Sequence, residues 1–325
     1  MKKGSNSEII YAPKAELHVH LEGSISVETL NRLGRKKGLP VFEESPYRFS
    51  TFKEFDALFP ALGPYFNTPE DFYEIAVAFG KRLIEENIIY CEVAIMPYVH
   101  VRRGLDFADM MNAVVCAFEN LERKRGINVQ IICAIPRTVG PEAGHKTLDW
   151  IEKAGMDRIV GIDLAGEERM GTIEAFAPVF DRARAMGLGT VAHAGEFLGP
   201  DAIWETLQLL KPHRIGHGIS AVTDANLLEY LARKNIPLDI SITSNLRLEV
   251  ISRLDTHPVR VFYEGGVPIT INTDDPGFFR TSLIREYEIL ADQFSFNKKE
   301  IMDIIYNGFK YRLWNRPVVT NDTNI

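Results

Sequence analysis

Short apolar runs alternate with longer amphipathic segments along most of the chain. The runs are ELHVH (16–20), IIYCEVAIMP (88–97), VQIICAIP (129–136), RIVGIDLAG (158–166), TVAHAG (190–195), RIGHG (214–218), IPLDISITSN (236–245) and VPITINTDDP (267–276). Most are continuously apolar rather than alternating, which is typical of strands covered on both faces of a parallel sheet. The pattern therefore predicts eight parallel strands.

The segments between these runs predict helices. Residues 68–87 begin at Thr68, a good N-cap, and residues 105–126 and 224–235 have the same amphipathic character. Eight strands alternating with helices favour the α/β class, and in particular a closed (β/α)₈ TIM barrel rather than an open sheet. The stretch 24–67 is too long for a simple connection, so we expect extra helices over the barrel mouth.

Composition adds limits on organisation and partners. No linker interrupts residues 12–315, so 1–325 is expected to form a single domain, with TNDTNI (320–325) as a disordered tail. The net charge of −7 argues against nucleic acid and anionic membranes and favours a small-molecule substrate. The N-terminus lacks the apolar core of a signal peptide, and no run approaches the roughly 20 apolar residues of a membrane span. A cytoplasmic location is expected.

Cysteine and glycine patterns exclude several cofactors. The three cysteines form no CxxC pair, so we expect Cys91, Cys116 and Cys133 to be small buried apolar residues rather than disulfide partners or zinc ligands. The chain has neither a GxxxxGK[ST] phosphate loop nor a GxGxxG motif after its first strand. No nucleotide cofactor is implied.

Four of the eight histidines fall at the ends of predicted strands. In a (β/α)₈ barrel these ends form the active-site mouth. On a strand, residues i and i+2 point to the same side, so His18 and His20 can face one ion. His193 and Asp274 at the ends of the fifth and eighth strands would complete a nitrogen and oxygen ligand set, which suits zinc with one position left for water.

Three further polar residues at the mouth suggest catalysis. Glu196 follows His193 closely and stands where a general acid or base can reach both water and substrate. His217 could orient the attacking water, and Asp275, beside a predicted ligand, should point toward the substrate. The remaining histidines lack such a context and are interpreted as surface or structural residues: His100, His145, His213 and His257.

With these residues identified, the chain resembles the adenosine deaminase family of metal-dependent hydrolases. The shared motifs are PKAELHVHLEG (13–23), DLAGEE (163–168), HAGE (193–196), RIGHG (214–218), TSN (243–245) and INTDDPG (271–277). Because they follow the family's order and spacing across nearly the whole chain, they are specific together. The resemblance implies zinc-dependent hydrolytic deamination of a 6-aminopurine nucleoside, with adenosine or deoxyadenosine giving inosine or deoxyinosine plus ammonia.

The resemblance also implies a role for each matching residue. One zinc per chain would be held by His18, His20, His193 and Asp274. Glu196 corresponds to the proton donor to purine N1, and His217 to the histidine beside the attacking water. The substrate-binding set is His20, Glu22, Gly166 and Asp275, with the Gly166 backbone at N3 and Asp275 at N7.

Two departures from the family pattern bear on the substrate. HLEG stands where many adenosine deaminases have HLDG, so Glu22 replaces the aspartate that reaches the ribose. The usual cysteine before TSN is absent. The segment 257–279 also resembles aminodeoxyfutalosine deaminases of menaquinone synthesis, which makes that activity, or adenine deamination, the alternative. We expect residues 50–67 to cover the ribose side, and Phe278 and Phe279 to add to that wall or to serve as ordinary packing.

Two other classes of protein remain as remote alternatives. Amidases and phosphotriesterases on this fold place two metals around a modified lysine on strand four, and RIVGIDLAG contains no lysine. A non-catalytic barrel would not need the full set of predicted ligand and acid residues. The sequence does not specify the oligomeric state.

Overall fold

Eight parallel strands form the centre of the molecule, and each pairs with the next strand along the chain. The computed structural model describes residues 11–314. The strands are β1 (Lys14–His20), β2 (Ile88–Ile95), β3 (Asn128–Pro136), β4 (Ile159–Ala165), β5 (Gly189–Ala194), β6 (Arg214–His217), β7 (Leu238–Ile240) and β8 (Ile269–Ile271). Every residue of β1, β3 and β4 is buried, as expected for strands covered on both faces. The predicted (β/α)₈ barrel is confirmed.

The barrel closes where β1 meets the end of β8. Val19 bridges Asp274 in parallel, the His20 N–H donates to the Asp274 carbonyl over 2.8 Å, and the Asp274 N–H donates to the His18 carbonyl over 3.1 Å. Below this point the Asn272 side chain takes the place of backbone hydrogen bonds between β1 and β8. Its Oδ1 accepts from the backbone N–H groups of Leu17 and His18. Closure therefore involves the backbone of three predicted metal ligands.

Helices surround the barrel and cover its mouth. They are α1 (Val27–Lys37), α2 (Phe52–Asp56), α3 (Leu58–Leu62), α4 (Pro69–Glu85), α5 (Pro97–Val101), α6 (Phe107–Arg125), α7 (Pro141–Ala154), α8 (Ala177–Ala185), α9 (Pro200–Leu209), α10 (Ala225–Lys234), α11 (Ile242–Arg247), α12 (Val259–Glu264), α13 (Pro276–Phe279), α14 (Leu283–Phe294) and α15 (Lys298–Lys310). The predicted Thr68 cap is confirmed as part of a capping box with Asp71. Short helices within 24–67 lie over the mouth, as predicted.

Two strand predictions extended too far. The run 236–245 pairs only as Leu238–Ile240, and its second half is helix α11. The β-branched residues Ile242 and Thr243 favour a strand, but the Glu286 carboxylate accepts the Thr243 N–H and fixes the first turn of a helix. Similarly, β8 ends at Ile271, and Asp274 has a left-handed φ of 62°.

The opposite end of the barrel is closed by the residues that follow α15. Leu313 and Trp314 pack against an apolar layer of Ile132, Val160 and Val191 inside the barrel. Above that layer Arg214, 1% exposed, forms ion pairs with Glu92 and Asp239. A charge this deeply buried requires partners, so the interior beneath the mouth is fixed by a paired polar layer.

Other sequence predictions have mixed outcomes. Cys91 and Cys133 are buried free thiols, but Cys116 is exposed on α6, so its predicted burial is wrong. Its apolar neighbours in sequence occupy the other side of that helix. None of the helices in residues 11–314 has the length and apolar character needed to cross a membrane. The tail TNDTNI lies outside the described residues.

Candidate active site

A cavity of about 230 Å³ opens at the carboxyl ends of the strands. Eight of the nine predicted site residues line it: His20, Glu22, Gly166, His193, Glu196, His217, Asp274 and Asp275. The ninth, His18, is 5% exposed, and its ring lies 4.6 Å from that of His193 and 5.0 Å from that of His217, measured between centroids. The structure thus brings all nine together.

The histidines and Asp274 form a compact group of ligand atoms. One nitrogen or oxygen from each of His18, His193, His217 and Asp274 lies within 4.8 Å of the others. His20 belongs to smaller groups, one with Asp163 and His193, and one with Asp274 and Asp275. The Asp274 Oδ1 lies 3.5 Å from His18 Nε2 and 3.3 Å from His20 Nε2. Distance alone therefore leaves His20 and His217 as competing fourth ligands.

Neighbouring side chains orient two of these candidates. Asp163 on β4 lies 3.1 Å from the Nδ1 of His193, which leaves Nε2 of that ring for a metal. The Ser244 hydroxyl donates to the Asp274 Oδ2 over 2.7 Å, which leaves Oδ1 facing His18 and His20. His18 has no hydrogen-bond partner for either ring nitrogen among the described residues. Buried imidazoles and a carboxylate with lone pairs directed at one point fit a zinc ion.

Glu196 and Asp275 are buried carboxyl groups that retain free hydrogen-bonding capacity. Glu196 Oε1 and Asp275 Oδ1 have no hydrogen-bond partner within residues 11–314. Burial, followed by the charge of Asp274, raises the pKa of each well above its ordinary value. A raised pKa favours the protonated form, in which a carboxyl group can donate a hydrogen bond into the cavity.

Two glycines make room at the mouth. A Cβ on Gly23 would lie 1.6 Å from Asp275 Oδ1, so the last residue of HLEG must lack a side chain. Gly166 has a φ of +99°, which favours glycine, and it follows directly after β4. These positions explain why glycine stands in the two motifs.

Glu22 is already engaged by protein groups. Its Oε1 accepts from the Met96 N–H and lies 2.9 Å from His100 Nε2. Although burial raises its pKa, the hydrogen bond with His100 lowers the pKa of Glu22 overall. His100 is therefore a buried structural residue that positions Glu22 in the cavity wall. Sequence reasoning assigned it no such contact.

The comparisons with known proteins agree with this geometry. The sequence model of the adenosine deaminase family matches residues 13–317. The chain belongs to the adenosine deaminase family. It is therefore a hydrolase of that family, acting on a purine amino group, and the predicted resemblance is confirmed.

Individual members of the family differ in substrate. The chain is 36% identical to an adenine deaminase of Agrobacterium fabrum, over 89% of this chain and 90% of the relative. It is 33% identical to an aminodeoxyfutalosine deaminase of Streptomyces coelicolor, over 94% and 81%. A zinc-bound amidohydrolase structure from Burkholderia ambifaria is 25% identical, with a TM-score of 0.88 over 99% and 90%. The two named deaminases thus act on different substrates.

Several positioning residues were missed from sequence although they lie in the quoted motifs. Asp163 and Glu168 are the ends of DLAGEE, and Ser244 and Asn245 belong to TSN. The available signal was their place within the motifs shared with the family. Phe278 and Phe279 are buried behind Phe55 rather than in the cavity lining, so their role is ordinary packing.

Glu168 clamps the loop that carries Glu196. Its carboxylate accepts the backbone N–H groups of Gly195, Phe197 and Leu198 at 2.5, 2.7 and 3.0 Å, and Glu168 is 3% exposed. One carboxylate thus satisfies three donors on both sides of Glu196. It fixes where that acid stands.

We expect Glu168→Gln to lower kcat by roughly 10–100-fold, because an amide has one acceptor oxygen and leaves loop donors unpaired. Steady-state kinetics and metal analysis should show nearly unchanged KM and zinc content. Glu167→Gln is the matched control, since Glu167 is partly exposed and pairs with Arg169. Wild-type kcat in Glu168→Gln would contradict the clamp.

Proposed function

We propose that this enzyme removes the C6 amine of a 6-aminopurine bound in the cavity, by hydrolysis to the 6-oxo purine and ammonia. The observation that carries the proposal is a pair of buried carboxyl oxygens beside the histidine cluster, Glu196 Oε1 and Asp275 Oδ1, neither of which has a hydrogen-bond partner within residues 11–314. In this assignment Glu196 donates a proton to N1, which makes C6 more electrophilic, and Asp275 donates a hydrogen bond to N7. The Gly166 backbone contacts N3.

The residues that would hold one zinc are His18, His20, His193 and Asp274. When bound, zinc supplies the Lewis acidity that makes water a nucleophile near neutral pH. The protein residues do the rest: His217 orients the attacking oxygen, and Glu196 supplies the proton. The buried walls restrict bulk water, which strengthens these hydrogen bonds. We also propose that residues 1–325 form one domain, which is supported by the single eight-stranded sheet within residues 11–314.

For the substrate, we propose a 6-aminopurine nucleoside that carries an anionic group beyond the ribose at N9. Aminodeoxyfutalosine is the candidate of this kind. The cavity continues beyond the base-recognition residues to an apolar wall of Phe52, Phe55 and Phe59. Arg103 lines the same end, and its side chain makes no hydrogen bond or ion pair with residues 11–314. An unpaired guanidinium recognises carboxylate or phosphate.

Free adenine is the second candidate. Met96 and His100 both contact Glu22 Oε1, which leaves only Oε2 of this carboxylate for a sugar hydroxyl. The relationship to an adenine deaminase favours the same substrate. Adenosine and deoxyadenosine remain candidates, and the ranking of kcat/KM described below decides among the substrates.

We expect Glu196→Gln to lower kcat by about 10²–10⁴-fold, because glutamine cannot act as the general acid. Zinc content and KM should change little, as measured by metal analysis and ammonia release. Glu205→Gln, on the exposed side of α9, is the control. If zinc disappears with Glu196→Gln, Glu196 is a ligand and its assignment is wrong.

We expect about one zinc per chain, because His18, His20, His193 and Asp274 form a single proposed set of four ligands. His18→Ala and His193→Ala should lose zinc and activity in parallel, whereas His145→Ala on α7 should retain both. Elemental analysis of the purified variants provides the measurement. A reproducible content near two metals, or full activity after chelation, would disprove the single-zinc assignment.

The substrate proposal is tested by ranking kcat/KM for adenine, adenosine, deoxyadenosine, adenosine monophosphate and aminodeoxyfutalosine. We expect an anionic nucleoside to rank first, and Arg103→Met to reduce its kcat/KM by about tenfold while adenine is unaffected. Arg102→Met, an exposed neighbour, is the control. A first rank for adenine with no effect of Arg103→Met would transfer the assignment to adenine deamination.

A further inference from the structure

A chain of hydrogen bonds leads from a backbone N–H to His217 in the cavity. The Val259 N–H donates to His257 Nδ1 over 3.2 Å, and His257 Nε2 lies 3.2 Å from Asn245 Oδ1. Asn245 Nδ2 in turn lies 3.2 Å from His217 Nδ1. His257, Asn245 and His217 are 5%, 0% and 1% exposed, so water does not interrupt the chain.

The first donor in this chain has a fixed direction. A backbone N–H can only donate, so His257 Nδ1 must be the acceptor and carries no proton. The single proton of that neutral ring then stands on Nε2, which donates to Asn245 Oδ1. Burial lowers the pKa of His257 to about 3, in agreement with a neutral ring.

The hydrogen bond from His257 sets the orientation of the Asn245 amide. Because Oδ1 accepts from His257, the NH₂ group faces His217 and donates to its Nδ1. The reversed amide would leave His257 with two acceptor nitrogens and no proton, which a neutral imidazole does not permit. The orientation of Asn245 is therefore determined by its contact with His257.

We propose that His257, acting through Asn245, fixes His217 as the neutral tautomer with its proton on Nε2. This inference rests on the proposed function for its catalytic meaning. His217 Nε2 lies 3.7 Å from Glu196 Oε1, at the edge of the cavity. His217 then enters the site as a hydrogen-bond donor and has no lone pair for a metal there. It follows that His20, rather than His217, is the fourth ligand.

His257 is a positioning residue in this account, and Asn245 transmits its orientation. Without the relay, His217 can carry its proton on Nδ1 instead, and Nε2 would then compete for the metal or accept a proton. The donor toward the attacking oxygen would be lost, while the substrate contacts of Glu196, Asp275 and Gly166 would remain.

The tautomer can be measured directly in the zinc-loaded wild-type enzyme. Long-range ¹H–¹⁵N correlation spectra of protein labelled in histidine report which ring nitrogen carries the proton, and His217→Gln and His257→Gln assign the two signals by loss. We expect protonated Nε2 in both rings. A proton on Nδ1 of His217 would overturn the proposal, with or without any detectable deaminase activity.

Two substitutions at 257 test the effect on the reaction. Glutamine can accept from Val259 and donate to Asn245, so His257→Gln should keep kcat within about threefold of wild type. Methionine fills similar volume but donates nothing, so His257→Met should lower kcat by roughly 10–100-fold at unchanged KM and zinc content. Wild-type kcat in His257→Met, or zinc loss in proportion to activity, would overturn the positioning role.

Discussion

The seam between β1 and β8 is the constraint on which this site depends. A barrel has no free edge only if its first and last strands pair, and here the pairing is made by the backbone of His18, His20 and Asp274. Asp274 follows β8, which ends at Ile271; it has a left-handed φ, and it lines the cavity. Closing the barrel and bringing these ligands together are therefore one event, which explains how side chains from opposite ends of the sequence meet within a few ångströms.

Burying so many polar groups costs free energy. This cost is offset by neighbouring side chains that hydrogen-bond to them and hold them in position. Asp163 holds His193, Ser244 holds one oxygen of Asp274, and Glu168 holds the loop of Glu196. Buried polar groups are stable when their hydrogen bonds are satisfied. At this site His18, Glu196 and Asp275 keep buried atoms without a hydrogen-bond partner within residues 11–314. These atoms belong to the proposed ligands and reacting groups, whereas the groups that hold them in place are hydrogen-bonded.

Much of the fold and the chemical residues could be predicted from local sequence. Continuous apolar runs gave the strands, and polar residues following them gave the candidate ligands, because parallel strands share one carboxyl end. The helix at 242–247 could not be predicted, since its first turn depends on Glu286, which lies far along the chain. His257 and Arg103 lie in no strand-end motif, so their contacts with the site arise only from tertiary packing.

Hydrogen-bond direction also distinguishes two histidines of the cluster, His193 and His217, whose ring nitrogens lie equally within reach of the proposed metal site. A carboxylate beside an imidazole nitrogen, as at His193, holds a proton on that nitrogen and leaves the opposite one for a metal. A chain that begins at a backbone donor, as at His217, does the reverse and presents a proton to the cavity. Since both rings lie at the mouth of neighbouring strands, their different roles are set by the first donor or acceptor behind each ring. In this chain, strand-end position therefore indicates which residues are candidates for the site, and the groups behind them distinguish the roles proposed for each.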